Sequence, residues 1–280
     1  MTAGTVTFAS RWSSVLAVSG QLCVGVDPHP SLLQSWGLPD SAAGVREFGL
    51  RTVDAVVGRA GVLKPQVAFY ERYGSVGYAA LESVLALARS AGLFVIADVK
   101  RGDIGSTVDA YGAAWLSPGS LLEVDAMTAV AYQGLGSLDG VLSLAGEHGK
   151  GVIVVTATSN AEAAATQTAV RADGRMVAGA LASEVTALPG TGGLVLGATI
   201  DLVDYGVSTD ALAGVPILAP GFGVQGARLA DLANLFGAAS PQVAAHVSRE
   251  ILGAGPSGIG AAIDRAQAEL RGTLSQGTAP

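Results

Sequence analysis

Apolar residues in this chain fall in short continuous runs rather than in strict alternation. The runs are Leu22–Val26, Val62–Leu63, Phe94–Ala97, Val124–Met127, Gly151–Val155, Leu194–Ala198, Val215–Ala219 and Val243–Val247. Unbroken apolarity over so few residues predicts strands covered on both faces. Gly151–Val155 is the clearest, rich in Val and Ile and opened by Gly. Ala-rich stretches with helical spacing lie between the runs. In Ser75–Ala91 the apolar positions are Val76, Ala80, Leu81, Val84, Leu85, Leu87 and Ala88, and Gly92 supplies a stop. Strands alternating with helices predict a parallel sheet. Eight units over 280 residues predict an α/β fold of the closed (β/α)8 TIM-barrel type, as a single domain. A doubly wound open sheet is the alternative. The barrel core is expected over about 22–252. Residues 253–280 are expected as a C-terminal helical tail, in which Ile259–Leu270 forms a short amphipathic helix closing the barrel.

Composition narrows the classes. Apolar residues are 50% and charged residues 14%, which excludes disorder and a coiled coil. Glycine, 39 of 280, runs at roughly double its usual share without a collagen period, so many tight turns are expected. A net charge of −7 argues against nucleic acid as a partner, because phosphate contacts need clustered Lys and Arg. A small anionic substrate stays possible, since one or two cations in a pocket outweigh the global field. Cys23 is the single cysteine, so no internal disulfide forms, and no Cys–His pattern suggests zinc. The longest uncharged runs, Ala211–Ala227 and Leu232–Ser248, are 17 residues and broken by Gly or Pro. A membrane span needs ~20 apolar residues. Trp12–Val26 is too interrupted for a signal peptide. No membrane partner and a cytoplasmic location are expected.

The strongest chemical signal is Asp98-Val99-Lys100-Arg101-Gly102-Asp103-Ile104. Asp98–Asp109 holds five charges in twelve residues, just after an apolar run. In a barrel the chemistry sits at the C-terminal strand ends. Strand alternation puts Asp98 and Lys100 on one face, toward the barrel mouth. Carboxylates on either side hold Lys100 charged and set a negative field beside whatever it protonates. That suits a reaction in which an anion departs and a carbanion is quenched. Read alone, the pattern also fits a solvated salt-bridge cluster.

The segment FVIADVKRGDIGSTVDAY (94–111) resembles the orotidine 5'-monophosphate decarboxylase family. The resemblance continues in Val24–Asp27, in Lys64–Glu71 (KPQVAFYE), in Thr158–Asn160, in Pro220–Gly226 (PGFGVQG) and in Ser248–Ile251. These matches keep the family's order across roughly residues 22 to 252, and KPQVAFYE resembles the "type 2" bacterial branch. The resemblance implies a (β/α)8 barrel converting orotidine monophosphate to UMP and CO2 in pyrimidine synthesis, with neither metal nor organic cofactor. It implies that Lys100 protonates C6 while Asp98 stands beside the substrate carboxylate. Asp103 would reach in from the partner subunit of a homodimer, accompanied by Ile104 and Thr107. Lys64 would complete the charged network and Asp27 would bind a ribose hydroxyl. Ser159 would meet the pyrimidine edge, with a helix N-cap before Ala161–Ala165 as its other reading. Pro220 would lie at the ring, and Gln225 and Arg249 would hold the phosphate. The glycines at 221, 223 and 226 would let backbone N–H groups approach that anion.

Three places depart from the family pattern. Met127–Gly134 lacks the usual Asn-Pro before Tyr132, Ala161 stands where Pro often follows Ser-Asn, and Ala157 replaces a frequent Arg or Lys. Two alternatives remain: a magnesium-dependent 3-keto-gulonate-phosphate decarboxylase, and a non-catalytic nucleotide-phosphate-binding barrel. Buried charges without a use are costly, which weighs against the second.

Overall fold

The structure, a computed structural model, describes residues 6–188 and 190–276. Every apolar run contributes to a strand. The strands are β1 (Leu22–Val26), β2 (Val62–Pro65), β3 (Phe94–Arg101), β4 (Ala126–Ala129), β5 (Gly151–Ala157), β6 (Gly192–Leu196), β7 (Ile217–Ala219) and β8 (Val243–Val247). They close in chain order into a parallel barrel, with Cys23 on β1 facing Val62 on β2 and His246 on β8. Helices alternate with the strands around this barrel.

Several boundaries differ from the expected ones. β4 begins two residues late because Val124, though buried, gives its N–H to Trp115 O in the preceding helix Gly105–Leu116. β7 begins late for the same reason, Val215 N bonding Leu212 O. β6 begins early, at two glycines whose lack of side chains hides them from an apolar pattern. β2, β3 and β5 run past the expected ends. For β3 this carries the strand through Asp98, Val99 and Lys100 rather than ending it before them.

Strand alternation sorts the core into two layers. Leu22, Val24 and Val26 of β1 pack outward under the helices. Cys23, Val62, Phe94, Ile96, Ala126, Ile153, Val195, Leu218 and Ala244 pack together inside the barrel with Phe8, Trp12 and Leu16. Those last three come from a helix, Phe8–Ser19, capped by Thr7 Oγ1 accepting from Ser10 N at 3.2 Å. The helix lies across the N-terminal strand ends. Ala9 N bonds Gly190 O before β6, Arg11 Nη1 bonds Gly149 O before β5, and Trp12 Nε1 bonds Gln242 O before β8. Arg11 also pairs with Asp125 ahead of β4.

This helix closes the barrel floor, while Ile259–Leu270 is helical as expected but lies elsewhere. That segment belongs to a longer helix, Gly255–Gln276, packed outside against the helix Ala42–Val56 and β1. Its Ile259, Ile263 and Leu270 are buried in the outer layer. Among the described residues no helix is long and apolar enough to cross a membrane.

Candidate active site

With the floor sealed, the open end is the C-terminal face. A cleft of about 460 Å3 enters there, lined among others by Asp27, Lys64, Asp98, Lys100, Gln225 and Arg249. A larger hollow of about 1230 Å3 lies beside it, between the loops after β6 and β7, and shares Gln225. None of the hollow's charged side chains is buried, so the smaller cleft is where ionisable groups are held out of water.

Asp98 is the centre of the cleft. It is buried, and its Oδ2 accepts from Lys64 Nζ at 2.5 Å. Its Oδ1 accepts from Lys100 Nζ and from Thr128 Oγ1, the latter at 3.0 Å. Burial opposes its ionisation, but Lys64 and then Lys100 outweigh it and hold the carboxyl well below the usual range. Lys64 is also buried. Burial pulls its pKa down, yet Asp98, helped by Asp27, leaves it above the ordinary lysine value. Lys100 differs from Lys64 in reach, since 48% of its side chain is exposed toward the mouth.

The backbone explains how Lys100 gets there. It is the one non-glycine with positive φ among the described residues, at 46°. That left-handed conformation costs roughly 1–2 kcal/mol. It coincides with a register shift between β3 and β4, where Ala97 faces Met127 but Arg101 faces Ala129. The strand therefore does not alternate simply through Lys100. The ammonium reaches Asp98 through the bulge, not through the shared face expected from regular alternation.

The β1–β8 seam forms the next wall. A side chain at Gly25 would meet His246 Nε2 at 2.5 Å and Ser248 Cβ at 2.7 Å, so glycine makes room for the β8 side chains. His246 is buried, and burial followed by Lys64 pushes its pKa down to about 3. His246 Nε2, Ser248 Oγ and Asp27 Oδ1 are buried without a hydrogen-bond partner among the described residues. Nearby Cys23 has its thiol pushed up to about 12 by burial.

Part of the glycine-rich turn after β7 is bonded to itself. Gly223 N bonds Ala227 O at 2.9 Å and Gly226 N bonds Gly223 O at 2.8 Å, so these N–H groups serve the turn itself. Gly221, Gly223 and Gly226 all have positive φ, which is the reason for glycine at these positions. The turn brings Gln225 to the cleft, which Arg249, just past β8, also lines.

Asp27, Lys64, Asp98, Lys100, Pro220, Gln225 and Arg249 thus line one cleft. Asp103, Ile104, Thr107 and Ser159 are absent from its lining. Asp103 Oδ1 accepts from Ile104 N at 2.8 Å, Ile104 is 61% exposed, and Thr107 is exposed on the helix Gly105–Leu116. Ser159 is exposed just past β5. The helix Ala161–Gln167 has Asn160 at its N-cap position, so the capping role read for Ser159 does not hold. Gln66, Thr128, His246 and Ser248 join the lining without having been singled out from the sequence. Among the described residues no three His, Cys, Asp or Glu side chains form a metal-holding group.

Residues 20–262 match the profile of the orotidine 5'-phosphate decarboxylase / HUMPS family. A Salinispora tropica protein named orotidine 5'-phosphate decarboxylase is 47% identical over 96% of this chain and 99% of its own length. One of the same name from Streptomyces coelicolor is 44% identical over 94% of this chain and 97% of its own. A crystal structure described as an orotidine 5'-phosphate decarboxylase from Streptomyces avermitilis superposes with a TM-score of 0.90, at 44% identity and 96% coverage of both chains. The Leishmania donovani OMP decarboxylase gives 0.77 at 27% identity, covering 95% of this chain and 98% of its own. The fold, the ordered motifs and these relatives agree: the chain belongs to the orotidine 5'-phosphate decarboxylase family.

Proposed function

We propose that the chain decarboxylates orotidine 5'-monophosphate to UMP and CO2 in pyrimidine biosynthesis, with Lys100 protonating C6. The observation that carries this reading is Asp98, a buried carboxylate held ionised between two ammonium groups at the mouth of the barrel. A substrate carboxylate placed against it meets a like charge that does not neutralise. Departure as uncharged CO2 relieves that repulsion. The C6–carboxylate bond breaks with its electron pair left on C6. Lys100 Nζ delivers a proton to that pair, and the neutral amine is reprotonated from solvent. Lys64, with its raised pKa, stays charged and fixes Asp98 during the change.

The rest of the substrate fits the remaining walls. Arg249 and Gln225 hold the phosphate by charge-assisted and neutral hydrogen bonds. Asp27 takes a ribose hydroxyl with its unpaired Oδ1. Pro220 lies against the ring, and Ser159, on the segment just past β5, is assigned to the pyrimidine edge. Asp103, Ile104 and Thr107 lie outside their own chain's cleft, which fits a homodimer in which they complete the partner's site. No cofactor enters the reaction, and the enzyme works in the cytoplasm.

The test is loss of the orotidine monophosphate absorbance with a chelator present. Rapid conversion to UMP is expected from the wild type. Conversion that needs magnesium and a sugar-acid phosphate identifies the keto-gulonate activity instead. Binding of UMP with no turnover of orotidine monophosphate leaves a non-catalytic barrel.

A further inference from the structure

Thr128 stands opposite the bulge in β3. From Ala97 to Arg101 β3 advances four residues, while β4 advances two, from Met127 to Ala129. Thr128 is the residue between those two register points. Its Oγ1 receives the Val99 N–H at 3.0 Å and the Lys100 N–H at 2.9 Å. The same Oγ1 donates to Asp98 Oδ1 at 3.0 Å. A hydroxyl has one proton and two lone pairs, and here all three are engaged.

Three consequences follow from that saturation. Two amides lifted off the β3–β4 ladder by the bulge keep partners, so the irregular backbone is not left with orphaned donors. With both lone pairs occupied, the Thr128 proton goes to Asp98 Oδ1, which must be an acceptor. The carboxylate form is thereby favoured at the oxygen that Lys100 also contacts. The left-handed Lys100 that these bonds secure turns its ammonium back onto Asp98. On the outer side Arg101 anchors the same bulge, donating to Val99 O at 3.2 Å and to Glu71 Oε1 at 2.5 Å.

We propose that Thr128 is a positioning residue for the proton transfer. Its hydroxyl builds the bulge that carries Lys100 over Asp98 and keeps Asp98 an acceptor. The proposal rests on Lys100 being the proton donor. Thr128→Val keeps the shape and removes all three bonds, whereas Thr128→Ser keeps them. Misplacement of a reacting group by about 1 Å can cost ~10²-fold. Thr128→Val is therefore expected to lower kcat by about 10²-fold, while KM and the affinity for UMP stay within about threefold. Thr128→Ser should keep kcat within about threefold of wild type, because the hydroxyl alone does the work.

The assay uses purified full-length variants with orotidine monophosphate, UMP titration and thermal unfolding in parallel. Wild-type kcat in Thr128→Val overturns the proposal. So does a Thr128→Ser enzyme as slow as Thr128→Val, because the hydroxyl that Ser retains would then not carry the effect. A loss confined to KM and UMP affinity also overturns it, since that marks general damage to the pocket. Should Thr128→Val fail to fold, Thr128→Ser decides: a large loss of kcat in that folded variant overturns the proposal, and its retention supports it. Lys100→Ala is measured alongside. If that variant turns over normally, the reading of Lys100 has failed. If it is inactive while Thr128→Val is normal, the Thr128 proposal alone has failed.

Discussion

His246 shows how the interior chooses a protonation state. Its imidazole fills the space over Gly25 and faces Lys64, so the neutral form is the one that fits. Its pKa, about 3 in the fold, lies below the ordinary 6.5 of an unfolded histidine. The unfolded chain therefore takes up this proton first, and stability falls as pH drops from about 6.5 toward 3. Asp98 acts lower down. Its depressed pKa contributes stability above the ordinary carboxylate range that is lost as pH falls through and below that range. Between pH 7 and 5 the melting temperature of the wild type should decline, and His246→Asn should show a flatter slope. Parallel slopes would place the acid-sensitive group elsewhere. Arg249 makes a different prediction, at the phosphate end of the cleft. Arg249→Ala should raise KM by roughly 10–100-fold, the weight of a charge-assisted hydrogen bond. Binding of uridine, which has no phosphate, should scarcely change, and equal losses for uridine and UMP would mean that Arg249 acts through structure. Asp98, Lys100 and Arg249 were legible because charges are sparse in this sequence and these follow apolar runs. Thr128 and His246 were not. A lone Thr or His inside a strand reads as strand filler, and its partners are set by the register with the neighbouring strand.

At the scale of elements, β1 and β8 have the boundaries that their apolar runs predict, whereas β3 outruns its own. The reason is chemical. Asp98 and Lys100 break the apolar pattern, but Asp98 finds Lys64 on β2 and Thr128 on β4, and Lys100 pairs with Asp98 in turn. The bulge is invisible for a related cause, since it depends on the count of residues in β4 as well as in β3. The floor helix is a third case. Phe8, Trp12 and Leu16 recur at helical spacing, yet nothing in that spacing says that they enter a barrel. There Trp12 sits edge-on to Phe94 with ring centroids 5.7 Å apart, fully buried. Trp12→Ala should destabilise the protein by about 3–5 kcal/mol, the usual cost of truncating a buried aromatic. The reacting groups lie at the opposite end, so kcat at low temperature should hold near wild type. A large fall in kcat with an unchanged unfolding midpoint would contradict this division between a structural floor and a chemical mouth.

The whole molecule raises the question of what completes the cleft. Within one chain Asp103 bonds its own neighbour's N–H, and Ile104 stands open to solvent. In the homodimer proposed above, each site combines Lys100 of one protomer with Asp103 of the other. A two-fold interface makes that exchange reciprocal. Take one chain carrying Lys100→Ala and another carrying Asp103→Ala, each inactive alone. In a mixed dimer one site collects both defects. The other receives Lys100 from the Asp103→Ala chain and Asp103 from the Lys100→Ala chain, and so is intact. Random pairing of equal amounts makes about half of the dimers mixed, each with one good site of two. About a quarter of wild-type activity should return on mixing and subunit exchange, against almost none in either variant alone. Different tags on the two chains allow the mixed species to be isolated, where activity should approach half of wild type. Isolated mixed dimers without activity would place Asp103 in its own chain's site or outside the chemistry, and the exposed stretch from Asp103 to Thr107 would need another role.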